Sequence, residues 1–353
     1  MGDVMTVTGP VPADRLGVTL IHEHLLFDGD WHHKPLVDPA QRAIGENGLR
    51  IETLGWARKY GYEHLDNSHR LDVDEAAREA AYFRDAGGGT VVDQTPIGLG
   101  RDPRALLAIA RQTGLNVVMG CGYYVHARHP PELDERSGED IEAQLLHELT
   151  VEVDGSGIRA GIIGEIGTSA TVTPREEKVL RAAARAQAAT GVPLSIHHDV
   201  WGRKGPQVLA IARQEGADLR RTILCHLDQD ARCEFEYFRA VGQTGAYIGL
   251  DTFGHYDFYT YSRFENWAAT PRRVYATDWD RAELIAALVD AGYLDQIVVA
   301  QDVCLKVQLK QYGGFGFDHI LESAVPMWRA VGLTEPQIRR ILVDNPARVL
   351  GGA

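Results

Sequence analysis

The sequence predicts a single (β/α)8 barrel of the TIM type over residues 1–353. Three observations carry this. Eight short apolar or β-branched runs are spaced along the chain, amphipathic stretches lie between many of them, and no Pro/Ser-rich linker or short-period repeat divides it. A doubly wound open sheet is the alternative, and the eight-fold count favours the barrel.

The strand candidates are Gly17–Ile21, Thr90–Asp93, Asn116–Gly120, Gly161–Ile166, Leu194–Ile196, Thr222–Cys225, Tyr247–Leu250 and Ile297–Ala300. Most are continuously apolar, the mark of strands buried on both faces of a parallel sheet. Helical periodicity marks Asp74–Asp85, Asp102–Thr113, Arg175–Thr190, Pro206–Glu215, Arg281–Ala291, Phe317–Val331 and Glu335–Leu350. Pro174 suits the first turn of the third of these, and Gly191 the position just past its end. Two segments are long and irregular. Residues 28–72 follow the first strand and carry Trp31, His32 and His33. Residues 252–278 follow the seventh and place seven aromatics in the fifteen positions from Phe253 to Trp267. Loops of this length act as lids or substrate walls. The alternative is that the aromatics pack under their own loop as a satellite core.

Composition narrows the function. Lys plus Arg is 36 against 49 Asp plus Glu, a net charge of −13. That surplus argues against nucleic-acid partners and against docking on an anionic membrane. No run approaches the roughly 18 apolar residues of a spanning helix. The N-terminus lacks the basic and apolar regions of a signal peptide, so a cytoplasmic location is expected. Cys121, Cys225, Cys233 and Cys304 form no CxxC pair and no disulfide framework. The six lysines, Lys34, Lys59, Lys178, Lys204, Lys306 and Lys310, include none at a strand end. A Schiff-base aldolase, which needs a desolvated lysine there, is thereby excluded.

Functional groups of such barrels sit at the C-terminal ends of the strands. Read in order, those ends are His22-Glu23-His24, Gly164-Glu165, His197-His198, His226 and Asp302. Side chains alternate along a strand, so His22 and His24 face one way and Glu23 the other. An HxH pair alone is a weak sign. Joined by Glu165, His197, His226 and Asp302 it is specific, and the ligand count suits two divalent metals. By the same alternation His197 faces the axis, while His198 lies in the wall.

These motifs resemble the phosphotriesterase family of the amidohydrolase superfamily. The likeness runs through Thr6–Leu25, Arg159–Ile163, Arg181–His197, Gly249–Asp251 and Asp344–Leu350. It implies an amidohydrolase-type barrel with two metal ions, usually zinc. His22, His24 and Asp302 would surround one, His197 and His226 the other. Well-known members bridge the pair with a carboxylated lysine. Here Gly164 stands at that point and Glu165 one position later. A one-residue shift turns a side chain to the opposite face. Glu165 therefore bridges only if a bulge at Gly164 absorbs the extra residue. This resembles the glutamate-bridged branch that includes the phosphotriesterase-related and resiniferatoxin-binding proteins. The alternative makes Glu165 a salt-bridged wall residue beside a single metal.

The resemblance also implies a reaction. It is hydrolysis of a lactone, carboxyl ester or phosphotriester, with metal-bridged hydroxide as nucleophile and Asp302 as proton acceptor. Tyr124 matches a pocket tyrosine near the bridging water; its alternative is a wall aromatic. Thr252, Phe253, His255 and Tyr256 are expected to bind substrate. Thr252 and Gln229 stand where strong phosphotriesterases have a His–Asp proton relay, which makes efficient phosphotriester hydrolysis doubtful. A metal-binding, receptor-like protein with little hydrolase activity is the alternative function. A homodimer is the default assembly.

Overall fold

In a computed structural model, which describes residues 2–30, 33, 35–68, 71–231, 233–255 and 276–352, eight parallel strands form a nearly closed barrel. The chain opens with an antiparallel hairpin, β1 (Asp3–Thr6) and β2 (Gly9–Pro12). The barrel follows in sequence order: β3 (Val18–Glu23), β4 (Gly88–Asp93), β5 (Asn116–Cys121), β6 (Ile162–Thr168), β7 (Leu194–His198), β8 (Thr222–Leu224), β9 (Tyr247–Leu250) and β10 (Ile297–Val299). Each strand lies beside its successor in sequence, as right-handed βα connections require. β10 returns against β3, where the Asp302 amide donates to the His22 carbonyl at 3.2 Å. The hairpin lies across the opposite end, with the Val7 amide bonded to the Val117 carbonyl at 2.9 Å.

The strands are buried because helices cover their outer faces. Arg175–Thr190 is found as Pro174–Thr190, with a capping box between Thr173 and Glu176 and left-handed Gly191 at its end. Two barrel helices lie outside the sequence expectation. Gly138–Thr150 carries its own signals, a Ser137/Asp140 capping box and Ile141, Leu145 and Leu149 buried four apart. Phe235–Gly242 is too short for periodicity to mark it. The two C-terminal stretches are helical with one π-type turn each, at Ile320–Ala324 and Arg340–Asp344. One continuous hydrophobic core fills the barrel and the strand–helix layer. A second group, including Phe27, Tyr62, Leu99 and Leu305, packs under residues 28–72, so that segment has a small core of its own. Among the described residues no helix is long and apolar enough to cross a membrane.

One irregularity sets up the site. Ile163 pairs with Leu194 and Ile166 with Ile196, so β6 spends three residues where β7 spends two. The extra residue is absorbed at Gly164, whose φ is +148°. A Cβ there would lie 2.8 Å from both Cβ and O of Ser195. Gly120 on β5 is equally constrained, since its Cβ would meet the Gly164 carbonyl at 2.1 Å. Gly164→Ala is therefore expected to destabilise the fold by about 1–3 kcal/mol and to displace Glu165. Thermal denaturation with metal analysis checks this; a variant with wild-type stability and metal content would contradict it.

Candidate metal centre

All six expected ligands converge inside the barrel mouth. β3 supplies His22 on its inner side, and His24 follows directly past its end. Glu23, turned the other way, accepts the amides of Gln301 at 2.7 Å and Val303 at 3.0 Å. That one carboxylate grips both neighbours of Asp302, although burial lifts it to about 8. The bulge brings Glu165 to the centre. His197, next to last in β7, has its imidazole toward the axis, while His198 is locked in the wall between the Cys225 carbonyl (2.7 Å) and the Tyr237 hydroxyl (2.9 Å). Burial depresses His198 to about 3, so it stays neutral. His226 and Asp302 follow β8 and β10 with φ of +64° and +50°. Non-glycine residues in the left-handed region persist only where their surroundings hold them. Here the His226 amide donates to Asp251 at 2.8 Å and the Asp302 amide to His22.

Among the described residues three donor groups result: His22 with His24 and Asp302, His22 with Glu165 and His226, and, on the far side of the His22 ring, His22 with Cys225 and Asp251. Within each, the ligand atoms lie within 4.8 Å of one another. His24 Nε2 is 3.2 Å from Asp302 Oδ1 and 3.3 Å from Glu165 Oε1. His197 Nδ1 adds to the second group, 3.1 Å from Glu165 Oε2 and 2.8 Å from His226 Nε2. Glu165 thus faces all four imidazoles with its two oxygens.

The sequence reading missed what orients these rings. Asp251, fully buried after β9, accepts Nδ1–H of His22 and of His226, each at 3.0 Å. Both rings are thereby oriented, with Nδ1 on the carboxylate and Nε2 toward the centre. Thr95 Oγ1 meets His24 Nδ1 at 2.9 Å in the same role. The signal was present, since Asp251 is a carboxylate at a strand end like the ligands themselves. His22 Nε2 is buried and makes no hydrogen bond. A buried ring nitrogen that faces carboxylates and makes no hydrogen bond is what a divalent cation would satisfy once the ring gives up its proton.

The electrostatics agree. Burial disfavours the charged forms of His22, His24 and His226, but adjacent Glu165, Asp251 and Asp302 outweigh it. His24 is raised to about 9, chiefly by Asp302 and Glu165 once burial is overcome. Burial would likewise raise Glu165 and Asp251, yet neighbouring imidazoles hold both well below the ordinary carboxylate range.

Other expected site residues are distributed differently. Tyr124 stands at the centre, its hydroxyl 3.4 Å from the His197 ring nitrogens. Gly167 permits this, because a Cβ there would lie 2.2 Å from the Tyr124–Val125 peptide. His255 is buried and reaches the Asp302 carbonyl through Nε2 at 3.1 Å. Thr252 and Phe253 go into the wall, away from the expected substrate position. Buried Asp228 and Arg281 demand partners and take the Thr252 hydroxyl, and Phe253 packs edge-on against Trp328 with centroids 5.7 Å apart. Tyr256, like Trp31, His32 and the remaining loop aromatics through Trp267, lies outside the described residues.

The phosphotriesterase family model matches residues 2–350. The chain belongs to the phosphotriesterase family. It is 37% identical to the N-acetyltaurine hydrolase of Rattus norvegicus and 36% to that of Homo sapiens, over 99% of this chain and 98% of each relative. Among solved structures, a resiniferatoxin-binding protein from Rhodobacter sphaeroides superimposes with a TM-score of 0.94 at 37% identity, covering 99% of this chain and 95% of that one. A phosphotriesterase homology protein from Escherichia coli, complexed with phosphate in its active site, gives 0.77 at 28% identity, covering 95% and 98%.

The raised imidazoles generate a prediction. A protonated ring cannot ligate, so metal uptake at pH 7 must displace protons. Zinc affinity should therefore rise with pH through neutrality and keep rising at least to the His24 value of about 9. Calorimetry in buffers of differing ionisation enthalpy reads the proton count directly; zinc binding without proton release at pH 7 would refute it.

Proposed function

We propose that this hydrolase-family chain cleaves the amide bond of a small N-acylated amine, using two bound divalent cations. The observation that carries the reading is the convergence of His22, His24, Glu165, His197, His226 and Asp302 in a chain that aligns end to end with N-acetyltaurine hydrolases. That alignment moves the expected scissile bond from the lactone, carboxyl ester or phosphotriester of the sequence reading to an amide. Phosphotriesters fit less well, because Thr252 is committed to Asp228 and Arg281 and forms no relay.

The donor set of four imidazoles and two carboxylates suits zinc. His22, His24 and Asp302 would hold one ion and His197 and His226 the other, with Glu165 between them. Such a pair supplies Lewis acidity and a water acidified to near neutrality. The protein supplies the rest. Asp302 is the one carboxylate of the centre with appreciable exposure, 14% of its side chain against 3% for Glu165. It is placed to accept the proton of the attacking water and return it to the departing nitrogen, which leaves as a neutral amine. The Tyr124 hydroxyl beside His197 offers a donor for the acyl oxygen.

A binding role is the second reading, favoured by the likeness to the resiniferatoxin-binding protein. Metal analysis and a panel of N-acetyltaurine, other N-acyl amines, lactones, aryl esters and phosphotriesters decide between them. Two metals and fastest turnover of an amide are expected. Two metals without turnover of any compound would favour the binder, and preference for a phosphotriester would overturn the amide assignment.

Two variants of this experiment address residues. Asp302→Asn should lower kcat by about 10²–10⁴-fold with the fold intact, and a loss under about tenfold would remove Asp302 as proton carrier. Because Glu165 would supply both bridging oxygens without chemical modification, zinc alone should reactivate the metal-free protein. A strict bicarbonate requirement would contradict that assignment.

A further inference from the structure

Beneath the metal centre runs a second set of buried charges that the reaction does not use. Arg281, at the start of helix Asp278–Asp290, is fully buried, as are Asp228 and Asp278. Its guanidinium donates to Asp228 Oδ2 at 2.8 Å, Asp278 Oδ1 at 2.8 Å and the Thr252 hydroxyl at 3.1 Å. Asp228, in the turn after β8, accepts the amides of Asp251 and Thr252, each at 3.0 Å, and the Thr252 hydroxyl at 2.9 Å. Asp278 accepts the Gly254 amide at 3.1 Å and His319 Nε2 at 2.6 Å. Three charged groups thus hold the ends of β8 and β9, the residues just before the 256–275 segment, and His319 of the segment after β10.

What they hold matters more than that they are satisfied. A buried ion pair is weak evidence for stability, since desolvation offsets most of the Coulomb gain. Its use lies in geometry. Asp251 must present two oxygens to two imidazoles, one on β3 and one beyond β8, that are far apart in the chain. Small rotations of its backbone would break one contact or the other. Asp228 clamps the Asp251 and Thr252 amides together, which removes that rotation. Arg281 in turn fixes Asp228.

We propose that Asp228 and Arg281 are positioning residues of the metal centre, acting through Asp251 on His22 and His226. The proposal rests on the reading of the six converging side chains as a metal site. The full-length protein, stripped and titrated with Co²⁺, tests it through affinity and the visible ligand-field spectrum. Asp228→Asn puts an amide NH2 against backbone donors. It should weaken Co²⁺ binding by about 10–100-fold and shift the spectrum of the folded protein, as losses of outer partners do. Thr252→Val keeps volume and removes only the hydroxyl that donates to Asp228 and accepts from Arg281. It should fold normally, with a smaller loss of at least about threefold, so it carries the test where Asp228→Asn does not fold. Folded variants with wild-type affinity and spectrum would overturn the positioning role even where melting temperature falls. A wild-type protein that takes up no Co²⁺ would overturn the metal reading as well.

Discussion

The grip of one carboxylate on two imidazoles organises the mouth of this barrel. Asp251 is fully buried, and an isolated carboxylate there would be costly by several kcal/mol. Its oxygens are met by His22 Nδ1, His226 Nδ1 and the His226 amide. That arrangement forces His226 into left-handed backbone, directs both Nε2 atoms inward and ties β9 to β3 and to the end of β8. The closure of β10 on β3 then brings Asp302 opposite, with Glu23 holding its neighbours. The site is therefore a consequence of how the barrel closes.

Charge balance explains how so many ionisable groups share one buried site. Three carboxylates, Glu165, Asp251 and Asp302, are depressed, and three imidazoles, His22, His24 and His226, are raised. The groups neutralise one another, and a divalent cation would take the place of protons on the same ring nitrogens.

The barrel was legible in the sequence because parallel strands buried on both faces read as apolar runs, and all eight runs became barrel strands. The six converging residues were legible because side chains alternate and strand ends face the mouth. His198 illustrates the rule, since the alternation that sends His197 inward sends it to the wall. What stayed hidden was whatever depends on pairs distant in sequence. Asp228 and Arg281 lie 53 positions apart, and nothing local marks either as buried. Thr252 was misplaced for that reason, because its hydroxyl answers to them. The β1–β2 hairpin was hidden differently, by strands of four residues containing two prolines, below the length at which period-two alternation is readable.

Glu165 joins these strands of argument. Glutamate carries its own two oxygens, so it can stand between four imidazoles without chemical modification. Its position in the sequence, however, is one residue off the face it must occupy. The chain resolves the conflict in β6 at a residue without a side chain, and only because β5 and β7 are also small or open at that level. Gly120 leaves room for the Gly164 carbonyl, and Ser195 would tolerate nothing larger at Gly164. The placement of Glu165 and the small residues Gly120, Gly164 and Ser195 on three adjacent strands are thus one feature. A lysine at position 164 would need the regular register that these glycines have removed.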